Sequence, residues 1–361
     1  MLQTVAGFPP SANHESSSAT RPPMTHLKSQ LEPVLPSWFY KKLARYPVVP
    51  IAEVQRVVIV AYFRSGSSFF GEMLSSTPRT FFHFEPLQMF GHNFRTNDSA
   101  AHQALDLIGH LFHCEFQRIK DYARWDYEHS SLFVWNHFLW TLCRGKSSVC
   151  FNSEAVSQVC SRAPAQVMKV TRLPMSHVRD WLRSNPDIAG TVKIVHLVRD
   201  PRGIVASRRR VAWCNKSEAC MHQDSVCSEV RADLYSYEEL KKVLPNSTHR
   251  LRYEDLALNP NGEAVRLFDV LGLKYTRHVT RFLKTHTRSR KDNSLYPHST
   301  RRNSSIVAFQ WRTKLSYEDV VNIQRSCSDV LLRLGYKTIT REKEMFQAVP
   351  LVSVGNLTVP V

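Results

Sequence analysis

The chain has 361 residues, 43% of them hydrophobic, with 48 Lys and Arg against 31 Asp and Glu, a formal charge of +17. That is long enough for one large domain and nothing in it demands two, while the positive surface will attract anions. Nucleic acid is disfavoured among them because the sequence shows no zinc-finger spacing, no RNP-type aromatic motif and no basic amphipathic arm; other anions qualify, and the charge alone also fits a basic surface of no specific use.

In chain order, residues 8–23 are rich in Pro and Ser and read as part of a flexible lead-in over 1–50. The first strand is predicted over the apolar run Val57 to Phe63, followed by a small-residue turn, Arg64 to Phe69, and a helical pattern from Phe69 to Leu74. Backbone N–H groups of such a turn, at a helix N-terminus, face an anion. Gly66 permits close backbone approach, Ser65, Ser67 and Ser68 add hydroxyls, and Arg64 supplies a planar positive fork. A second strand over Arg79 to Phe84 ends at Glu85, before Pro86. A helix is predicted over Ala100 to Phe112, a strand over Gln166 to Val170 and a helix over Leu173 to Arg183.

The strand Val192 to Val198 delivers Arg199 at its carboxyl end, with Asp200 as N-cap and Pro201 as first residue of a helix running to Val211. Ser207 lies roughly two helical turns on, so it shares an anion with Arg199 only if that helix folds back past the strand end. Helices over Asp233 to Val243, Gly262 to Leu271 and Tyr317 to Leu334, with a strand over His249 to Tyr253, complete the pattern. Such alternation predicts an α/β domain over 51–340, a parallel β-sheet flanked by helices with ligands at the carboxyl ends of its strands, and a tail over 341–361.

None of the eight cysteines forms a Cys-x-x-Cys pair, so a zinc site is not expected. Their even number, with five Asn-x-Ser/Thr sequons beginning at Asn97, Asn215, Asn246, Asn303 and Asn356, points to a secretory lumen and at least two disulfides. Cys214, Cys220 and Cys227 cluster as a stapled loop after the second motif, in a pairing the sequence leaves open.

Between about residues 53 and 340 the chain resembles the Golgi carbohydrate sulfotransferases, within them the branch that sulfates the 6-hydroxyl of galactose, N-acetylglucosamine or N-acetylgalactosamine. The likeness rests on Tyr62 to Phe70, Phe84-Glu85-Pro86, His196 to Arg202, Leu251 to Leu256 and Trp311-Arg312. The resemblance implies a P-loop NTPase-like sulfotransferase fold, 3′-phosphoadenylyl sulfate (PAPS) as donor, no metal, and a glycan or proteoglycan acceptor. It implies that Arg64, Ser65, Gly66, Ser67, Ser68 and Phe69 hold the 5′-phosphosulfate, and that the Arg199-Asp200-Pro201-Arg202 motif with Ser207 holds the 3′-phosphate. Members are type II membrane proteins of the Golgi. No apolar run here approaches the roughly 18 residues that span a bilayer, so the anchor is expected upstream of Met1.

The acceptor hydroxyl needs a base, and Glu85 is the candidate by strand position and by resemblance; the alternative is that it pairs with a cradle arginine or caps the next helix. His83 competes, but alternation turns it to the other face from Phe84. His196 reads as a core histidine, Arg208 to Arg210 as a solvated helix terminus, and Glu254 and Asp255 as acids in a structural ion pair with a base elsewhere. Trp311 and Arg312 either stack on and clamp an acidic sugar or belong to the core. A P-loop kinase is disfavoured because no G-x-x-x-x-G-K-[ST] sequence exists. A non-catalytic heparin-type binder is the remaining alternative.

Overall fold

Successive residues of the first strand, β1 (Gln55–Val60), enter two different cores: Val58 and Val60 join one apolar cluster and Val57 and Ile59 another. A strand buried on both faces must read as an unbroken apolar run, which is why this one was visible in the sequence. The computed structural model describes residues 34–91, 95, 98–288, 299–347 and 351–352. The other predicted strands are β2 (Thr80–Phe84), β3 (Ala165–Val170), β4 (Val192–Val198) and β5 (Thr248–Arg252). They form one parallel sheet in the order β2-β3-β1-β4-β5. Connections from β1 run to β2 and β3 on one side and to β4 and β5 on the other. Its topological switch point therefore lies between the carboxyl ends of β1 and β4, where ligands of open α/β sheets bind.

Several boundaries differ from the expectation for local reasons. β1 stops at Val60 because the chain then tightens into a turn, with the Ser65 N–H donating to the Tyr62 carbonyl and Arg64 in the left-handed region at φ 70°. The expected helix Tyr317 to Leu334 is two, Tyr317–Ser326 and Ser328–Arg333, broken at Cys327. The helix expected from Asp233 begins earlier and spans Gln223–Val243. Inside the segment read as lead-in, Ser37–Leu43 is helical and sinks Phe39 and Leu43 into the core beneath β1. The helix Arg277–His286 and the short helices between Lys120 and Cys160 carried no recognised signal.

All eight cysteines are paired, as Cys114–Cys160, Cys143–Cys150, Cys214–Cys220 and Cys227–Cys327. The stapled loop is closed by Cys214 and Cys220, while Cys227 reaches Cys327 across a separation of 100 residues. Closing a loop of that length removes unfolded-state entropy worth about 4.7 kcal/mol in the chain-entropy account. No helix among the described residues is long and apolar enough to cross a membrane. Of the sequons, Asn97 and Asn356 lie outside the described residues, Asn246 is exposed, and Asn303 caps the helix Ser304–Ala308.

Candidate active site

At the switch point the structure opens a cleft of about 490 Å³, within the range of small-molecule sites. The first wall is the turn after β1. Gly66, at φ 91°, is the N-cap of the helix Ser67–Ser75, and no side chain caps that helix. Its first-turn N–H groups are therefore left for an outside acceptor. Gly66 is required by space as well as by φ, since a Cβ there would collide with the ring of Tyr253. Arg64, Gly66, Ser67, Ser68 and Phe69 all line the cleft. Ser65 does not: it is fully buried and its Oγ accepts from the Tyr62 N–H at 3.3 Å, holding the turn together.

The second wall follows β4, and the two walls touch. Arg64 Nε donates to Ser207 Oγ at 3.0 Å, and an Arg199 Nη donates to the Arg64 carbonyl at 2.7 Å. No folding back of the helix Pro201–Arg208 is needed, because Gly203, Ala206, Ser207 and Arg210 form one face of that segment and line the cleft beside Arg199. A Cβ on Gly203 would come within 3.1 Å of Arg199 Nε, so the glycine makes room for the guanidinium.

Other expected members of this wall are elsewhere. Asp200 caps its own helix by accepting from the Arg202 N–H at 2.9 Å, and forms a fully buried ion pair with the Arg202 guanidinium at 2.8 Å. Arg202 in turn lies 4.3 Å above the Trp311 ring and donates to Gln324 and to the Lys337 carbonyl. Asp200, Pro201 and Arg202 thus support Arg199 from behind the cleft and do not line it. Trp311 reaches the lining with 1% of its surface exposed, too little to stack on a sugar, and Arg312 turns away onto the carbonyls of Met345 and Gln347.

Glu85 sits in the cleft wall after β2, at φ 53°. It is the N-cap residue of the following 3-10 turn without a side-chain cap bond, and it pairs with neither Arg64 nor Arg199. Instead Lys169 approaches one oxygen at 2.6 Å and Arg172 the other at 2.9 Å, with Thr171 donating its hydroxyl and its backbone N–H. Burial pushes the Glu85 carboxyl up, but Lys169 and Arg172, with the hydrogen bonds, outweigh it and hold the group below its ordinary range. His83 packs away from the cleft on Gln166, and burial lowers its imidazole to about 4. His196 is likewise in the core, bonded to the Tyr62 hydroxyl at 2.8 Å.

The remaining lining is cationic. Arg64, Lys169, Arg172, Arg199, Arg210, Arg302 and Lys314 face the cleft, and among the described residues Glu85 is its only carboxylate. Burial first, and then repulsion from Arg199, Arg302 and Arg210, lowers the Arg64 guanidinium to about 10. Charges crowded at such cost are relieved by a polyanion. The sequence reading missed Lys169, Arg172, Arg302 and Lys314. Of these only Lys169 left a mark, as a lysine inside the apolar run Val167 to Val170.

Fold and cleft define the class, an α/β protein with a strongly cationic cleft at the switch point of a parallel sheet. Residues 54–335 match the sulfotransferase domain family, and the chain belongs to that family. It is 27% identical over 334 residues to rat carbohydrate sulfotransferase 1, covering 80% of this chain and 81% of that protein. It is 25% identical to mouse carbohydrate sulfotransferase 4 (80% and 83%) and 26% to human carbohydrate sulfotransferase 6 (80% and 82%). Among solved structures, the sulfotransferase domain of the curacin biosynthetic pathway is similar at 17% identity and TM-score 0.44, covering 77% of this chain and 97% of that one.

Proposed function

We propose that the protein is a Golgi carbohydrate sulfotransferase that moves the sulfuryl group of PAPS to the 6-hydroxyl of a galactose, N-acetylglucosamine or N-acetylgalactosamine residue. The observation that carries this reading is the contact between the two corners: Arg64 and Ser207 meet at 3.0 Å, so both corners open on one cleft. The residues suit a ligand with phosphate groups at two ends. An uncapped helix N-terminus with Arg64 would hold the 5′-phosphosulfate, and Arg199 with Ser207 the 3′-phosphate. Four disulfides agree with folding in an oxidising lumen. The glycan acceptor comes from the kinship with carbohydrate sulfotransferases.

The donor supplies an activated sulfuryl group. In the exchange the bond from sulfur to the phosphate oxygen breaks and a bond to the acceptor oxygen forms, the hydroxyl proton going to a protein base. Arg64 and the amides of Ser67 to Phe69 are placed to stabilise the charge growing on the phosphate oxygen. Glu85, kept ionised by Lys169 at 2.6 Å and by Arg172, takes the proton against the pull of those two cations. Purified protein incubated with radiolabelled donor and a panel of desulfated glycosaminoglycans should place label on the 6-oxygen of one acceptor. Nucleotide-independent retention of glycans with no transfer to any would establish the heparin-type binder instead.

A further inference from the structure

One wall of the cleft has no part in holding the donor. Running outward from Glu85, the Arg172 guanidinium lies 4.6 Å over the Phe63 ring, and Phe63 meets Trp213 edge-on at 5.4 Å. Trp213 is 36% exposed at the cleft lining, an exposed large aromatic beside a functional pocket. Its position is fixed by the chain around it. The neighbouring Cys214 is bonded to Cys220, and Val211, Cys214 and Cys220 form a small apolar cluster of their own.

Arg208 ties this loop to the sheet. The sequence placed it at a solvated helix end, but it is buried, donating from Nε to the Phe63 carbonyl at 3.3 Å and from an Nη to the Cys220 carbonyl at 3.0 Å. One guanidinium thus joins the strand end that carries Phe63 to the loop that carries Trp213. Lys314, an exposed cation, lines the same cleft.

We infer that Trp213 is the acceptor subsite: a pyranose ring stacks its apolar C–H face on the exposed indole, so that a neighbouring sugar further along the wall brings its free hydroxyl to Glu85. Lys314, on the same cleft lining, receives a sulfate or carboxylate of an adjoining sugar. Arg208 and the Cys214–Cys220 bond are positioning elements that hold the platform at the mouth. The occupant is an acidic glycan because the rim is cationic while the platform itself is uncharged, and because a rigid aromatic gives contact area at small entropic cost. The inference rests on reading the cleft as that of a glycan sulfotransferase, and it moves the stacking role expected of Trp311 to a residue with surface to offer.

The test compares wild type with Trp213→Ala, Trp213→Phe and Lys314→Gln. Affinity for adenosine 3′,5′-bisphosphate is measured by calorimetry, and KM and kcat with sulfated and desulfated keratan fragments. Trp213→Ala should raise the acceptor KM about ten-fold or more with bisphosphate affinity unchanged. Trp213→Phe should recover most of that loss, and Lys314→Gln should narrow the preference for sulfated over desulfated fragments. An unchanged acceptor KM in Trp213→Ala, or an equal loss of bisphosphate affinity, overturns the subsite. A wild type that binds no bisphosphate and transfers to nothing fails differently, removing the function on which the subsite rests.

Discussion

The two corners of the cleft look alike in sequence, each an apolar strand, a short turn and a helix, yet they offer an anion opposite things. After β1 the helix begins at Gly66 with no capping side chain, so backbone donors are exposed. After β4 the helix begins at Asp200, whose carboxylate already takes the first-turn donor and pairs with Arg202 in the interior. The first corner therefore offers main chain plus Arg64. The second offers Arg199 and the Ser207 face alone. A helix N-terminus is an anion site only while its cap is not itself an anion.

The largest effect should come from the corner that is already neutralised. Asp200→Ala leaves the Arg202 guanidinium buried with its charge uncompensated, and removing one partner of such a pair costs about 3–5 kcal/mol. Thermal melts should show that loss, while the folded protein still binds adenosine 3′,5′-bisphosphate with wild-type affinity. Lost affinity at an unchanged melting temperature would put Asp200 in the anion site and erase the contrast between the corners.

Arg64→Ala attacks the open corner and should behave inversely. Turnover should fall by about 10²–10³, the usual cost of one positioned donor to developing charge. Melting should not drop, because Arg64 is held against burial and the repulsion of Arg199, Arg302 and Arg210. A marked loss of stability would mean that the guanidinium is a structural strut.

Glu85→Gln tests the base on the acceptor side. With its pKa held down by Lys169 and Arg172, Glu85 is a weaker base than a free carboxylate, so the loss in turnover belongs at about 10², the low end of the range for general bases. Wild-type turnover should also stay level as pH falls from 7 through the usual carboxylate range. Equal turnover in both proteins, with bisphosphate binding intact, removes Glu85 from the chemistry.

What the sequence disclosed follows from the same contrast between local and distant causes. β1 and β4 were legible because burial on both faces leaves an apolar run, and Asp200 was legible as a cap because capping is decided within three residues. Partners of Glu85 were not, since Lys169, Thr171 and Arg172 arrive from the end of β3, about 85 residues along the chain, with only sheet order to bring them there. Trp311 and Trp213 are equally aromatic in sequence, and only packing makes one a floor under Arg202 and the other a surface. Arg208 misled for the reverse reason: a basic residue at a helix end is usually solvated, and here the distant Phe63 carbonyl and the nearby Cys220 carbonyl draw it inside.

The smallest effect concerns the second corner's support. Glu254, read as half of an ion pair, is instead fully buried, accepting from the Asp200 N–H at 3.1 Å and from the Tyr336 hydroxyl at 2.7 Å, while Asp255 takes the pairing role with Arg252. Burial, and then the nearby charge of Asp200, raises the Glu254 carboxyl to about 7. The native state therefore holds a proton that the unfolded chain releases near 4.5, and stability should decline as pH rises through the window from about 4.5 to 7. Glu254→Gln keeps the Asp200 N–H on its amide oxygen, turns the second contact round so that its NH2 donates to the Tyr336 oxygen, and has nothing to titrate. It should melt with wild type near pH 5 and above it at pH 8, by roughly 1–3 kcal/mol. Bisphosphate affinity should be equal at pH 5 and should weaken less with rising pH in the variant, because the Asp200 backbone that seats Arg199 no longer lies against a buried charge. Melting curves that run parallel from pH 5 to 8 would show that Glu254 stays in one protonation state and has no part in the pH dependence of the second corner.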